Sequence, residues 1–357
     1  MSRYWSELVN RLTPYVPGEQ PRQEKLVKLN TNESPYPPTP AVLQAIAAVD
    51  GDDLRLYPDP ESGALKEAFA SRNKLQADQV FIGNGSDEVL AHCFQGLLKH
   101  DLPLYFPDVS YSFYPVWCDL YQIDYRQVPL SSDFTVDIAA YPEQNGGIII
   151  PNPNAPTGVL LELDAIGELL HRSPDSVVVI DEAYIDFGGE SAVRLIPEYD
   201  NLLVVQTLSK SRALAGLRVG AAMGCVQLIE GLQRVKNSFN SYPLDVLAQR
   251  AALASLQDEA YFLDCCRRVM ASREQLCAAL QELGFEVLPS SANFVFARHP
   301  QCAAQQLFAA LRQRGILVRH FNKPRISEYL RISIGDEQAC AVLVSALREA
   351  LADASRA

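Results

Sequence analysis

Val177-Val-Val-Ile-Asp-Glu-Ala-Tyr184 is an unbroken apolar run that ends in two carboxylates and, three residues after the first of them, a tyrosine. Apolar runs of this length read as strands buried on both faces, and the carboxyl end of such a strand is where an open α/β sheet presents ligand-binding groups. Four similar runs, VFIG (80–83), LPLYF (102–106), GIIIP (147–151) and LLVVQT (202–207), alternate with helix-like patterns. The alternation predicts an α/β fold whose mostly parallel sheet is covered by helices. One intervening helix starts with Ser86 as its cap and buries Val89, Leu90, Cys93, Phe94, Leu97 and Leu98 at helical spacing.

The texture changes beyond Gly224. A long helical pattern runs through Leu263, Cys266, Val269, Met270, Leu276, Leu280 and Leu283 to a stop at Gly284. Strand-like NFVFA (293–297), GILVRH (315–320) and YLRISIG (329–335) follow, then an amphipathic C-terminal helix through Leu343, Leu347 and Leu351. This is the pattern of a smaller α+β domain. Ahead of the strands, Pro35, Pro37, Pro38 and Pro40 exclude a helix interior or central strand and specify an extended arm. The expected division is an arm with part of the small domain at 1–45, a large domain at 46–255 and a small C-terminal domain at 256–357. No Gly/Ser tether separates the lobes, so a cleft between them is expected.

Composition narrows the function. Of 357 residues 48% are hydrophobic and 21% charged, which is globular rather than disordered. With 31 Lys+Arg against 43 Asp+Glu the net charge is −12, and no basic run offers a grip on nucleic acid or anionic lipid. Eight scattered cysteines without a C-x-x-C fit neither a disulfide scaffold nor a zinc site, and no histidine pair has ligand spacing, so no metal is expected. The scattered cysteines suit a reducing cytoplasm, and a polar N-terminus and the lack of a spanning apolar stretch point to a soluble protein away from membranes.

Four segments can carry chemistry. Thr207-Leu-Ser-Lys-Ser-Arg-Ala-Leu-Ala-Gly-Leu-Arg218 follows a strand and sets Lys210 beside hydroxyls and two arginines. Cations such as Arg212 and Arg218 favour an unprotonated amine able to form a Schiff base with a carbonyl; the plainer reading is a lysine paired with a carboxylate. Asp181 is suited to hold a pyridine nitrogen protonated, the pairing that makes pyridoxal phosphate an electron sink, with Tyr184 donating to the ring's phenolic oxygen; a helix cap is the alternative. Gly83-Asn-Gly-Ser-Asp-Glu88 is a tight turn opening a helix, an anion cup or a plain cap, and it lacks the spacing of a nucleotide loop. Asn152-Pro-Asn-Ala-Pro-Thr-Gly158 is a rigid turn at a strand end, holding a ligand or simply reversing the chain.

Together with Y-P-D-P at 57–60, S-K at 209–210 and Y-L-R-I-S-I-G at 329–335, these motifs, in this order, resemble the fold type I pyridoxal-phosphate aminotransferases, particularly those acting on histidinol phosphate. The resemblance spans almost the whole chain. It implies that Lys210 carries the cofactor and then moves the substrate α-proton, that Asp181 pairs with the pyridinium nitrogen, that Tyr184 meets the phenolic oxygen, and that Tyr111 stacks on the ring. Gly85, Ser86, Asp87, Ser209 and Arg218 would surround the cofactor phosphate, with Tyr57 reaching it from the other subunit of a homodimer whose active sites are shared. Arg331 and Arg319 would hold the substrate's distal phosphate or carboxylate, and Asn32 and Tyr15 belong to the arm that closes over the substrate.

One departure matters. The family usually has Asn directly before P-T-G, donating to the ring oxygen, whereas this chain has Ala155 with Asn154 one place earlier. Asn154 substitutes after a small backbone shift, or the bond is absent and Tyr184 carries more of the interaction; a modest change in function is expected. The implied reaction is transamination between histidinol phosphate and 2-oxoglutarate, with glutamate as the other amino acid. Alternatives are an aromatic or broad-range amino-acid aminotransferase and a threonine-phosphate decarboxylase-like enzyme.

Overall fold

A computed structural model describes residues 2–16, 18–20 and 26–354. In the arm, β1 (Val27–Lys28) is followed by the proline cluster, which is irregular until Pro40 opens a helix, Pro40–Ala47, at a first-turn position where its missing N–H costs nothing. The next seven strands are β2 (Val80–Gly83), β3 (Leu104–Pro107), β4 (Tyr125–Val128), β5 (Ile148–Pro151), β6 (Val178–Asp181), β7 (Leu202–Thr207) and β8 (Gly220–Gly224). They form one sheet in the order β2-β8-β7-β6-β5-β3-β4, parallel except that β8 runs against both of its neighbours. The run at 102–106 is thus strand only from Leu104, because Leu102 is exposed.

Strand alternation divides the apolar residues between two layers. Ile148, Ile150, Val178, Ile180, Leu202 and Val204 face one helical layer, while Ile149, Val179, Leu203 and Val205 face the other. In the second layer the helix Gly85–Gly96 buries Val89, Leu90, Cys93 and Phe94. A fully buried Phe94 contributes roughly 1.5–3 kcal/mol relative to an exposed one. Ser86 is not the cap of this helix. The helix opens at Gly85, and the Asn84 backbone N–H is taken by the Glu88 carboxylate at 2.6 Å, which leaves Ser86 inside the first turn.

The second core surrounds a smaller antiparallel sheet. It comprises β9 (Glu286–Val287), β10 (Phe294–Arg298), β12 (Arg319–His320) and β13 (Leu330–Ser333) in the order β12-β13-β10-β9. The helix Glu259–Glu282, capped by Asp258, and the helix Glu337–Ala354 cover it through Val269, Leu276, Leu280, Leu343 and Leu347. Gly284 ends the first of these helices with a φ of 87°, a left-handed conformation that glycine adopts without a steric penalty. The run 315–320 is not one strand. β11 (Ile316–Leu317) pairs with β1 of the arm, while Arg319–His320 joins β13, so the chain changes sheets at Val318. Leu29 and Tyr36 of the arm belong to this second core.

Candidate active site

Register explains why chemistry gathers at one rim. Pro151 pairs with Asp181, and Asp181 with Val205, so β5 and β6 end level while β7 runs on to Thr207, and the loops carrying Ala155, Tyr184 and Lys210 leave at the same rim. Because β8 is antiparallel, with Thr207 opposite Gly220, the β7–β8 loop returns Arg218 to the rim that Ser209 and Lys210 occupy. Gly83 in turn pairs with Gly220, which brings in Gly85 and Ser86. Only glycine fits at 220: a Cβ there would lie 2.4 Å from the Ser86 nitrogen.

These loops and the arm enclose a cleft lined by Lys210, Asp181, Tyr184, Tyr111, Ser86, Asp87, Ser209, Arg218, Arg319, Arg331, Asn32 and Tyr15. Gly85, Asn154 and Tyr57 are not on its wall. Gly85 lies directly behind Arg218, where a Cβ would come within 2.5 Å of the guanidinium. Tyr57 is 82% exposed on the outer surface and stacks on Tyr242 with ring centroids 4.7 Å apart. Asn154 is turned away, its amide donating to the Val109 carbonyl at 3.0 Å and to Thr157 Oγ1 at 2.9 Å, so Ala155 faces the cleft instead.

Asp181 forms part of the floor. The Tyr114 hydroxyl donates to its Oδ2 at 2.8 Å, whereas its buried Oδ1 has no partner. Burial pushes its carboxyl up to about 6; the Tyr114 hydrogen bond opposes this, and the Asp87 charge adds to it. Tyr114 had no sequence signal, since a tyrosine beginning a helix beneath the site reads as core. Lys210 donates to the Thr31 carbonyl at 3.1 Å, and its Nζ lies 5.8 Å from the centre of the Tyr184 ring.

At the cup, Arg218 donates to Asp87 Oδ2 at 2.9 Å, and the Tyr111 hydroxyl donates to Asp87 Oδ1 at 2.9 Å. Burial first, and then the Asp87 charge, lift the Tyr111 phenol well above its ordinary range. Arg212 does not join Arg218 beside Lys210. Its guanidinium packs on the Phe262 ring at 3.9 Å and pairs with Glu259 at 2.9 Å, because the chain beyond Ser211 dives toward the helix Glu259–Glu282.

The opposite wall is cationic. Arg319 and Arg331 are cross-strand partners. Arg331 donates to the Asn30 carbonyl at 2.9 Å, but its buried Nε has no partner, and burial lowers its pKa. Asn32 Nδ2 donates to the Tyr184 hydroxyl at 3.1 Å, and Tyr15 packs 4.8 Å from Phe113. Asn30, Thr31 and Ser333 were not anticipated, since they act through backbone carbonyls or contacts remote in sequence.

A lysine and a buried carboxylate at the strand ends of a fold type I sheet, facing a pair of arginines of the small sheet across one cleft, are the arrangement of an aminotransferase site. Residues 24–347 match the family described as aminotransferase class I and II, and the chain belongs to that family. It is 62% identical to histidinol-phosphate aminotransferase 2 of Dechloromonas aromatica, over 98% of this chain and 99% of that protein. It is 60% identical to histidinol-phosphate aminotransferase 1 of Pseudomonas aeruginosa, over 97% and 99%. The fold also matches the crystal structure of histidinol-phosphate aminotransferase from Sinorhizobium meliloti in complex with pyridoxal-5'-phosphate, with a TM-score of 0.89 at 24% identity over 99% of both chains.

Proposed function

We propose that this aminotransferase uses pyridoxal 5'-phosphate to exchange an amino group between L-histidinol phosphate and 2-oxoglutarate, the glutamate-linked transamination of histidine biosynthesis, in the cytoplasm. The observation that carries the reading is a cleft holding Lys210 together with two charges of opposite sign, Asp181 and Arg331, each with one buried, unpartnered polar atom, Oδ1 and Nε. Identity of 62% over 98% of this chain to a protein named for the histidinol-phosphate reaction supports the substrate.

The residues fit the cofactor. Asp181 Oδ1, buried and unpartnered, would accept from a protonated ring nitrogen, a cation that offsets the burial lifting this carboxyl. Tyr184 would face the ring oxygen and Tyr111 the ring plane, while Ser86, Asp87, Ser209 and Arg218 would surround the phosphate at the opening of the helix Gly85–Gly96, where free N–H groups favour an anion. When bound, pyridoxal phosphate supplies the electron sink for the α-carbon. Lys210 Nζ would take the proton from the substrate α-carbon and pass it, on the same face, to the cofactor rather than back to that carbon. Arg331, with Arg319, holds the distal phosphate of histidinol phosphate or the distal carboxylate of glutamate through forked donors that suit either anion. Asn32 and Tyr15 close the arm side and exclude water.

A homodimer with shared sites is part of this reading, supported by the exposed Leu54, Leu56, Tyr57, Phe239 and Tyr242. So is the division at 46–255 and 256–357, with the arm at 1–45 contributing to the small domain, supported by the separate cores about the two sheets. The test is a half-reaction. Cofactor-loaded protein is mixed with histidinol phosphate without a keto acid, and the visible band is followed against phenylalanine and threonine phosphate. Rapid conversion by histidinol phosphate alone is expected. A faster response to phenylalanine, or carbon dioxide release from threonine phosphate, overturns the substrate.

A further inference from the structure

Ala155 and Tyr184 pack together against Ala292 and Phe294, and both line the cleft. Ala155 brings only a methyl group to that wall, and the Asn154 amide is committed to Val109 and Thr157. The amide that reaches Tyr184 comes from the arm, Asn32 Nδ2 lying 3.1 Å from the hydroxyl oxygen.

Asn32 is fixed at every polar group. It is 1% exposed, with a φ of 56°, a left-handed conformation that asparagine tolerates better than most side chains. Its N–H donates to Ser333 Oγ at 2.8 Å, its carbonyl accepts from Asn293 Nδ2 at 2.9 Å, and its Oδ1 accepts from the Ser333 hydroxyl at 2.8 Å. The arm, β13 and the segment before β10 therefore converge on one amide whose remaining donor is aimed at Tyr184.

We infer that Asn32 is a positioning residue for Tyr184: with no amide side chain at position 155, the arm supplies one, oriented by Ser333, that aligns and polarises the tyrosine hydroxyl, a role that rests on the pyridoxal-phosphate reading above. A hydroxyl that accepts a hydrogen bond becomes a stronger donor. Asn32 thus lets Tyr184 draw more charge from the cofactor's ring oxygen. Removing the amide leaves that charge in place, and a nearby proton is then held more tightly. Lys210, whose Nζ lies 5.8 Å from the Tyr184 ring centre, and Arg331, Tyr111 and Tyr114, which sense the charge of Tyr184, are all retained in the Asn32 variants.

The experiment is a pH titration of the visible band of the cofactor-loaded protein. Wild type is compared with Asn32→Gly, which keeps the left-handed backbone, with Ser333→Ala, with Tyr184→Phe, and with the Tyr184→Phe/Asn32→Gly pair. Asn32→Gly is expected to raise the midpoint by about one pH unit, tenfold in proton affinity, and Ser333→Ala by less. Asn32→Gly adds nothing once the tyrosine hydroxyl is gone, and Ala155→Asn in the Asn32→Gly background moves the midpoint back. Thermal melts of the apoproteins check folding, and Ser333→Ala carries the comparison if Asn32→Gly does not fold. Unchanged midpoints, or an equal Asn32→Gly shift with and without the Tyr184 hydroxyl, overturn the inference. A wild type that takes up no pyridoxal phosphate fails the functional reading itself.

Discussion

The floor and the roof of the cleft each hold a charge with one buried atom unpaired, and they do so by different means. The floor carboxylate Asp181 ends a central parallel strand and is braced by Tyr114; the roof guanidinium Arg331 comes from a small antiparallel sheet and is braced by the arm through Asn30. Continuous strands set the floor by register, whereas the roof is assembled from the arm and the small sheet, pieces of chain far apart in sequence. The cleft thus sets a carboxylate on one side and a guanidinium on the other, each with an unpartnered polar atom.

The sharpest way to break this comparison is to remove the amine from the floor. Lys210→Ala should lower transamination by at least about a thousandfold, as expected for loss of the group that transfers the proton. Turnover near the wild-type rate in the half-reaction would exclude Lys210. Next comes the cost of the floor charge. Burial pushes the Asp181 carboxyl of the folded protein up to about 6, whereas an ordinary aspartate titrates near 3.8. The ionised, buried group therefore weakens the apoprotein as pH rises through that window, by on the order of 3 kcal/mol. Asp181→Asn apoprotein should melt higher than wild type at pH 8, with the gap closing below pH 4. An equal gap at both pH values would count against it.

On the roof, Arg331→Gln should raise KM for histidinol phosphate about tenfold to a hundredfold, the loss of a charge-assisted bond, with a smaller change in kcat. A change in kcat alone would move Arg331 out of the anion site. The smallest effect is expected outside both walls. Tyr57→Phe should weaken cofactor retention by about tenfold or less, the worth of one hydrogen bond. Unchanged retention in a chain that sediments as a monomer would remove the shared site.

The same division governs what the sequence could reveal. The floor was legible because its strands are apolar runs that end in the residues that matter; VFIG and LLVVQT coincide with β2 and β7. β8 was not, since Gly-Ala-Ala-Met-Gly carries little strand propensity, and its reversed direction, which returns Arg218 to the rim, is set by pairing alone. Nor was β4, an edge strand whose Arg126 and Gln127 are exposed. The arginines of the roof were identified from motif resemblance, but not the contact of Asn32 with Ser333, because no local pattern encodes a bond between residues 301 apart. Asn154 and Arg212 mark the other limit: their proximity to the right motif did not determine where their side chains turn.

The reversed strand β8 also bears on the order in which the site is assembled. Thr207 and Gly220 are opposite one another, so pairing β7 with β8 closes only a short loop and places Ser209, Lys210 and Arg218 together at once. Loop closure becomes costlier with chain length, and contacts distant in sequence are slow to form. Joining Asn32 to Ser333 closes nearly the whole chain. By loop-closure entropy alone, the contact that sets Ser209, Lys210 and Arg218 together costs less to make than the one that latches the arm to β13.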